Sequence, residues 1–164
     1  MKNVLLSITI VLSIGCASHH DTFDVTNLEP SVQVHLNSYF IEKLRFTGHN
    51  FAYYNIKIKF ENLLGNELAV CSIYKDKTQP RTIRIHPERW FAASESQREQ
   101  LVFHEMGHCD LDIQKHTNSG IMIARQLQDS FYVNNREALV LELFDMVTED
   151  PIVTSFKGVY IHEH

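Results

Sequence analysis

The sequence predicts an α+β domain in which a small sheet packs on three helices. Apolar side chains recur at helical spacing in segments near both ends of the chain, and between them short stretches alternate apolar with charged residues. A further apolar run follows a helix-capping sequence. The chain has 164 residues and contains no internal repeat or low-complexity segment, so we expect a single domain.

The first helix is predicted over residues 31–45. Val32, Leu36 and Leu44 lie on one face of a helix with this register. Pro30 precedes the segment and Gly48 follows it, and these are typical residues for a helix start and a helix stop. We therefore expect an amphipathic helix that packs its apolar face on the sheet or on other helices.

Three strands are predicted after this helix. Ile56–Phe60 alternates apolar with charged side chains, and Arg81–Ile85 alternates again after a polar loop. A third strand is expected over residues 68–74, because a Gly65-Asn66 turn comes before it. We expect the three strands to form a meander.

Two more helices complete the predicted fold. The segment S-Q-R-E at residues 96–99 has the form of a capping box, which places a helix start at Ser96 and carries the helix through Cys109. Apolar residues lie nearly all round this helix, which is typical of a helix buried in the middle of a domain. The last helix is predicted over residues 135–147 and ends before Pro151.

The amino terminus is predicted to be a targeting segment. Residues 1–15 have the features of a signal peptide, since Lys2 precedes an apolar stretch that is shorter than the roughly 20 residues of a membrane-spanning helix. The following L-S-I-G-C sequence resembles a bacterial lipobox, so we expect lipidation at Cys16 and a tether over residues 16–26. The alternative is ordinary secretion with Cys16 buried. Residues 27–164 would then form the domain of an exported, monomeric protein of the bacterial cell envelope.

Charge and cysteine content limit the classes of partner and compartment. The chain has 15 basic and 20 acidic side chains, a net charge of −5, and no basic cluster, which excludes a typical nucleic-acid partner. Apart from Cys16, two cysteines remain, Cys71 and Cys109. An exported protein can join such a pair in a disulfide, and two reduced, buried thiols are the alternative.

The residues that indicate a chemical function are H-E-M-G-H at 104–108. Residues i and i+4 lie on the same face of a helix, so His104 and His108 can bind one metal ion together. Glu105 is then close enough to take a proton from a water whose pKa zinc lowers to about 7. We expect one zinc ion and hydrolysis with Glu105 as general base. The structural alternative is a helix whose histidines bond to the backbone.

A catalytic zinc site needs a third protein ligand. Asp112 lies about 12 Å from His104 along a continuous helix, which is too far for one ion, and Cys109 points about 100° away from His108 around the axis. If the helix ends near Asp112, a residue type that tolerates the left-handed conformation, the chain can turn and bring His116 back to the metal. The remaining candidates are two acidic residues of the last helix, Glu137 and Glu142.

The run H-E-M-G-H-C at 104–109, followed by Leu111, His116 and S-G-I-M at 119–122, resembles the metzincin-type zincins. It is most similar to small bacterial lipoprotein peptidases with an H-E-x-G-H-C signature. The resemblance implies a zincin-like fold, a peptide or protein substrate, and His116 as third ligand. It also implies that Met122 is the methionine of the turn beneath the metal. The usual extended motif has its last ligand six residues after the second His, where this chain has Gln114.

Two features outside the motif would contact substrate by the same resemblance. Zincins bind an extended peptide at a sheet edge, and Arg81–Ile85 is the candidate edge, with an interior strand as the alternative. Tyr132 is a candidate donor to a developing oxyanion, with core packing as the alternative. The rival function is a zinc-containing envelope protein that binds without cleaving, and a closed four-ligand site would favour it.

Overall fold

A computed structural model describes residues 28–148 apart from 51, 53 and 77. It has a three-stranded sheet and four helices, which confirms the α+β prediction. The predicted signal peptide, Cys16 and the tether lie outside the described residues. Among the described residues, no helix has the length and apolar character needed to cross a membrane. The elements in chain order are α1 Pro30–Thr47, β1 Ile56–Phe60, β2 Ala69–Ser72, β3 Arg81–Ile85, α2 Pro87–Ala92, α3 Glu95–Cys109 and α4 Asp129–Thr148.

The first helix forms as predicted, with a slightly longer span. The Glu29 side chain accepts a hydrogen bond from the Ser31 backbone N–H at 2.9 Å and caps the helix start. At the other end Gly48 has a φ of 79°, and its N–H donates to the Leu44 carbonyl. This left-handed cap is readily adopted by glycine, which explains why the helix stops there.

The three strands lie where the sequence predicted them, but the predicted meander is wrong. The strand order is β1-β3-β2, with β3 parallel to β1 and antiparallel to β2. Ile83 and Ile85 of β3 are each 2% exposed, whereas Lys57 and Lys59 of β1 face solvent. The most buried strand therefore takes the centre, and the lysine-bearing strand lies at an edge, where charges are tolerated.

The capping box of α3 starts two residues earlier than predicted. Ser94 is the N-cap, its hydroxyl accepts the Gln97 N–H at 3.2 Å, and the Gln97 side chain accepts the Ser94 N–H at 3.0 Å. Two overlapping patterns compete here, and the one that starts at Ser96 would need Glu99 to cap. The Glu99 carboxylate instead binds Arg136 of α4.

Helix α3 lies at the centre of the fold, as predicted for a helix with apolar residues all round. It contacts β2, β3, α1 and α4, and Phe103 and Met106 are fully buried. The short helix α2 was not predicted; Trp90 anchors it in the core. Helix α4 begins at Asp129, six residues before the predicted start, because Tyr132 adds one more buried position to its core face.

Candidate metal centre

The three histidines predicted as ligands lie together at one end of a cleft. The Nε2 atom of His108 is 3.2 Å from Nε2 of His104 and 3.2 Å from Nε2 of His116. The ligand atoms of the three side chains all lie within 4.8 Å of one another. Two nitrogens bound tetrahedrally to one zinc ion are about 3.3 Å apart. These three histidines could therefore hold a metal ion.

Backbone carbonyls orient two of the rings. Nδ1 of His104 lies 2.8 Å from the Ile121 carbonyl oxygen, and Nδ1 of His108 lies 2.6 Å from that of Ile113. A carbonyl only accepts, so each neutral ring carries its proton on Nδ1 and presents a lone pair at Nε2. Two such nitrogens cannot donate to each other, and a cation placed between them would satisfy both.

The return of His116 depends on a turn just after α3. The helix ends at Cys109, and Asp112 has a φ of 59°. It is the one non-glycine residue with positive φ in the described part of the chain. The Ile113 N–H then donates to the Gly107 carbonyl at 3.0 Å, so the chain folds back on the helix. The predicted left-handed residue is confirmed, although the helix ends three residues before it.

Glu105 lies beside the histidines and is 4% exposed. Burial raises the pKa of its carboxyl group to about 7, the Cys71 backbone N–H acts against this shift, and the charge of Glu67 adds to it. Its Oε2 atom is buried and has no hydrogen-bond partner among the described residues. A buried carboxyl oxygen without a partner is costly, and Glu105 is one of the residues that line the cleft.

Burial also keeps the imidazoles in the form that binds metals. It lowers the pKa of His104 to about 4, with the charges of His108 and His116 acting in the same direction and the bond to Ile121 opposing them. It likewise lowers the pKa of His108 below the ordinary value. At neutral pH both rings are therefore uncharged, as a ligand must be.

The cleft has a volume of about 790 Å³ and lies between β2 and α3. Its walls include Leu68 and Val70 on the sheet side and Leu101 and Ile123 opposite. The prediction that β3 is the edge strand near the site is wrong, because β3 is the central strand. Strand β2 pairs only with β3 in this sheet, so it is an edge strand, and Ala69, Val70 and Cys71 of this strand line the cleft.

Cys71 and Cys109 have their sulfur atoms at disulfide-bonding distance, and their Cα atoms are 5.7 Å apart. The bridge links the edge strand β2 to the last residue of α3. Because Glu105 and Cys71 also interact through the backbone N–H, this link fixes the sheet edge relative to Glu105.

Met122 packs against Gly107 of α3, and its place in a turn beneath the metal stays a prediction. It is fully buried, and its sulfur occupies the space that a Cβ atom on residue 107 would need. Gly107 lies between the two helical ligands, and sequence reasoning assigned it no role. The sequence does contain a signal for such a role. Glycine in a helix interior is about 1 kcal/mol less favourable than alanine, so its presence there indicates a packing or functional requirement.

The two glutamates considered as third ligands lie elsewhere. The Glu137 carboxylate accepts from Arg45 at 2.9 Å on the protein surface. The Glu142 carboxylate packs against Gly120, within 3 Å of the position of a Cβ atom there. Neither belongs to the group of side chains that could hold a metal ion.

Tyr132 also lies away from the cleft. Its side chain is buried in the core, and its hydroxyl donates to the Glu99 carboxylate at 3.1 Å. It is absent from the residues that line the cleft. The core-packing alternative describes its position, and we assign it no part in the chemistry below.

No protein-family model matches the sequence, and comparisons with curated proteins and with solved structures find no significant match either. The resemblance to metzincin-type zincins therefore depends on the residues at 104–122 and on their arrangement around the cleft.

Proposed function

We propose that this protein is a zinc-dependent peptidase. The observation that carries the proposal is the convergence of three imidazole Nε2 atoms beside a buried carboxyl group in one open cleft. Nitrogen ligands suit zinc, and three protein ligands with a fourth position left for water are typical of its catalytic sites. Within the described residues no fourth side chain joins the group, which favours this function over a closed, non-catalytic site.

His104, His108 and His116 would hold the metal. The chemistry that zinc supplies when bound by such a set is polarisation of a carbonyl group and a lowered pKa for water, to about 7. The bonds from Nδ1 to Ile121 and Ile113 keep both helical rings turned toward the metal position. Ring orientation is thus set by the backbone before any ligand arrives.

Glu105 is the proposed general base. Its carboxylate takes the proton of the attacking water and later gives it to the leaving amine. A pKa near 7 before metal binding suits a group that must accept and release a proton close to neutral pH. A nearby cation would favour the charged form and so prepare the group to accept.

The proposed substrate is an extended peptide that lies along the outer edge of β2. An edge strand has backbone N–H and C=O groups that can pair with an added strand. Apolar side chains such as Leu101 and Ile123 line the cleft, so they would contact the side chains of the peptide.

We also propose that the enzyme acts outside the cytosol, attached to the bacterial cell envelope through a lipid at Cys16. The features that support this are the lipobox-like sequence at residues 12–16 and the bonding distance between Cys71 and Cys109. Disulfides persist in oxidising compartments and are rare in the cytosol.

The test of the proposed function is a comparison of Glu105→Gln with the wild type. We expect the variant to keep one zinc ion, measured by elemental analysis, and to lose at least about 100-fold in turnover of a quenched-fluorescence peptide library. Glu95→Gln, at an exposed position of the same helix, is the control and should keep its activity. His104→Ala should lose both zinc and activity.

Two outcomes would contradict the proposal. Undiminished turnover in Glu105→Gln would remove Glu105 from the mechanism. A wild-type protein that holds zinc but cleaves no member of the library would favour the binding function instead.

A further inference from the structure

Arg81, the first residue of β3, contacts the end of α3 and the turn after it. Its Nη1 donates to the Cys109 carbonyl at 3.1 Å and lies 3.5 Å from the His108 carbonyl. Its Nη2 pairs with the Asp112 carboxylate at 2.7 Å. The guanidinium lies over the ring of Tyr54, 3.4 Å from the centroid, and the side chain is 13% exposed. One mostly buried cation thus joins the helix end to the left-handed residue.

Both contact points need stabilisation. The last carbonyls of an α-helix have no partner within the helix and carry the negative end of its dipole, so a cation there is favourable. A left-handed conformation costs energy for a residue with a Cβ atom, although aspartate tolerates it better than most, and Asp112 adopts it. The guanidinium of Arg81 donates to a carbonyl at the helix end and also pairs with the Asp112 carboxylate.

The geometry of two metal ligands follows from this turn. The residue after Asp112 is Ile113, whose carbonyl accepts the Nδ1–H of His108 at 2.6 Å. The chain then continues to His116, whose Nε2 atom lies 3.2 Å from that of His108. If the turn changes, both the orientation of His108 and the return of His116 change with it.

We propose that Arg81 is a positioning residue for the metal centre, which it holds together through Asp112 and the carboxyl end of α3. The inference rests on the metal centre of the proposed function and does not depend on hydrolysis. Groups that orient metal ligands typically change metal affinity by 10–100-fold when they are removed. Arg81 lies outside the H-E-x-x-H motif and is remote from it in sequence.

The experiment compares Arg81→Met with Arg84→Met in the full chain. Arg84 lies on the same strand and pairs with Glu61 of another segment at 3.2 Å, so its loss removes a more exposed ion pair of the same strand. Zinc affinity is measured by competition with a chromophoric chelator. The visible spectrum of the cobalt-loaded protein reports ligand geometry.

We expect Arg81→Met to bind zinc 10–100-fold more weakly and to change the cobalt spectrum, while Arg84→Met keeps wild-type values. Arg81→Lys should recover part of the affinity, since lysine restores the charge but not the forked geometry. Wild-type affinity and spectrum in Arg81→Met would overturn the inference, even if that variant unfolds more easily.

A second variant covers the case in which Arg81→Met does not fold. Asp112→Gly keeps the left-handed turn and removes the carboxylate, and it should also weaken zinc binding; an unchanged affinity would overturn the inference. A wild-type protein that binds no zinc would overturn it as well. If zinc binds as expected and no peptide is cleaved, the proposed peptidase function fails and the role of Arg81 stands.

Discussion

Helix α3 carries buried polar groups on two sides, and the two sides differ in how these groups are satisfied. Toward α1, the carboxylate of Asp110, the residue that caps the carboxyl end of α3, accepts from Lys43 at 2.6 Å and from the Tyr39 hydroxyl at 2.7 Å. Toward the cleft, the Nε2 atoms of His104 and His108 face each other, and Oε2 of Glu105 has no partner among the described residues.

Glu99 and Glu105, both on this helix, show the difference most clearly. Burial acts to raise the pKa of Glu99, yet hydrogen bonds from Arg136 and Ser38 hold it below its ordinary value. Burial raises the pKa of Glu105 to about 7 with little to oppose it. Groups on the first side stabilise the fold, whereas the histidines on the cleft side could hold a metal ion.

The largest expected change in stability is on the side of α3 that faces α1, where the buried polar groups have hydrogen-bond partners. Lys43 and Asp110 form an ion pair with both side chains fully buried, so Lys43→Met removes the cation that pairs with a carboxylate in the core. We expect a loss of about 3–5 kcal/mol in the free energy of unfolding, measured by urea denaturation. Arg45→Met, which removes an exposed cation of the same helix, should cost less than about 1 kcal/mol. Equal losses in the two variants would contradict the comparison.

On the cleft side, by contrast, replacing a buried charged group should increase the stability of the protein. Glu105 has a raised pKa in the folded, metal-free chain, so its contribution to stability is present below the unfolded pKa near 4.5 and is lost as pH rises through about 7. Glu105→Gln should therefore stabilise the metal-free protein at pH 8 by about 3 kcal/mol, and this gain should vanish near pH 4.

The check is urea denaturation of both proteins with a chelator present across that pH range. The same Glu95→Gln control should show no such gain. A Glu105→Gln variant that is less stable than the wild type at pH 8 would show that this carboxylate is satisfied in the fold.

The smallest effect is expected at Tyr132, which belongs to the satisfied side. Tyr132→Phe removes one of several hydrogen bonds to Glu99, and we expect it to cost about 1 kcal/mol of unfolding free energy. Peptide turnover should not change, since the hydroxyl does not reach the cleft. A tenfold fall in turnover at unchanged zinc content would restore the interpretation of Tyr132 as an oxyanion donor.

The sequence was informative where the signal is local. Alternation gave the bounds of β1 and β3, and the spacing of His104 and His108 placed both on one face of α3. The tolerance of aspartate for the left-handed region pointed to Asp112 and hence to the return of His116. Zinc, hydrolysis and lipidation remain predictions.

Features that depend on distant partners could not be derived in this way. The most buried strand lies at the centre of the sheet, and its burial depends on the packing of the whole domain. Helix α3 starts at Ser94 and not at Ser96 because the Glu99 side chain binds Arg136 and does not cap the helix. Arg136 lies 37 residues away along the chain. The contacts that Arg81 makes with both Asp112 and the end of α3 are likewise visible only in three dimensions.

The two edges of the small sheet have unequal consequences for how the protein meets other chains. Strand β1 carries Lys57 and Lys59 toward solvent, and a charged edge resists pairing with a second copy and so limits aggregation. Strand β2 opens onto the cleft and has no lysine between Ala69 and Ser72. Charge thus disfavours strand addition at β1 and leaves β2, the edge along which we propose that the peptide binds, as the more favourable one.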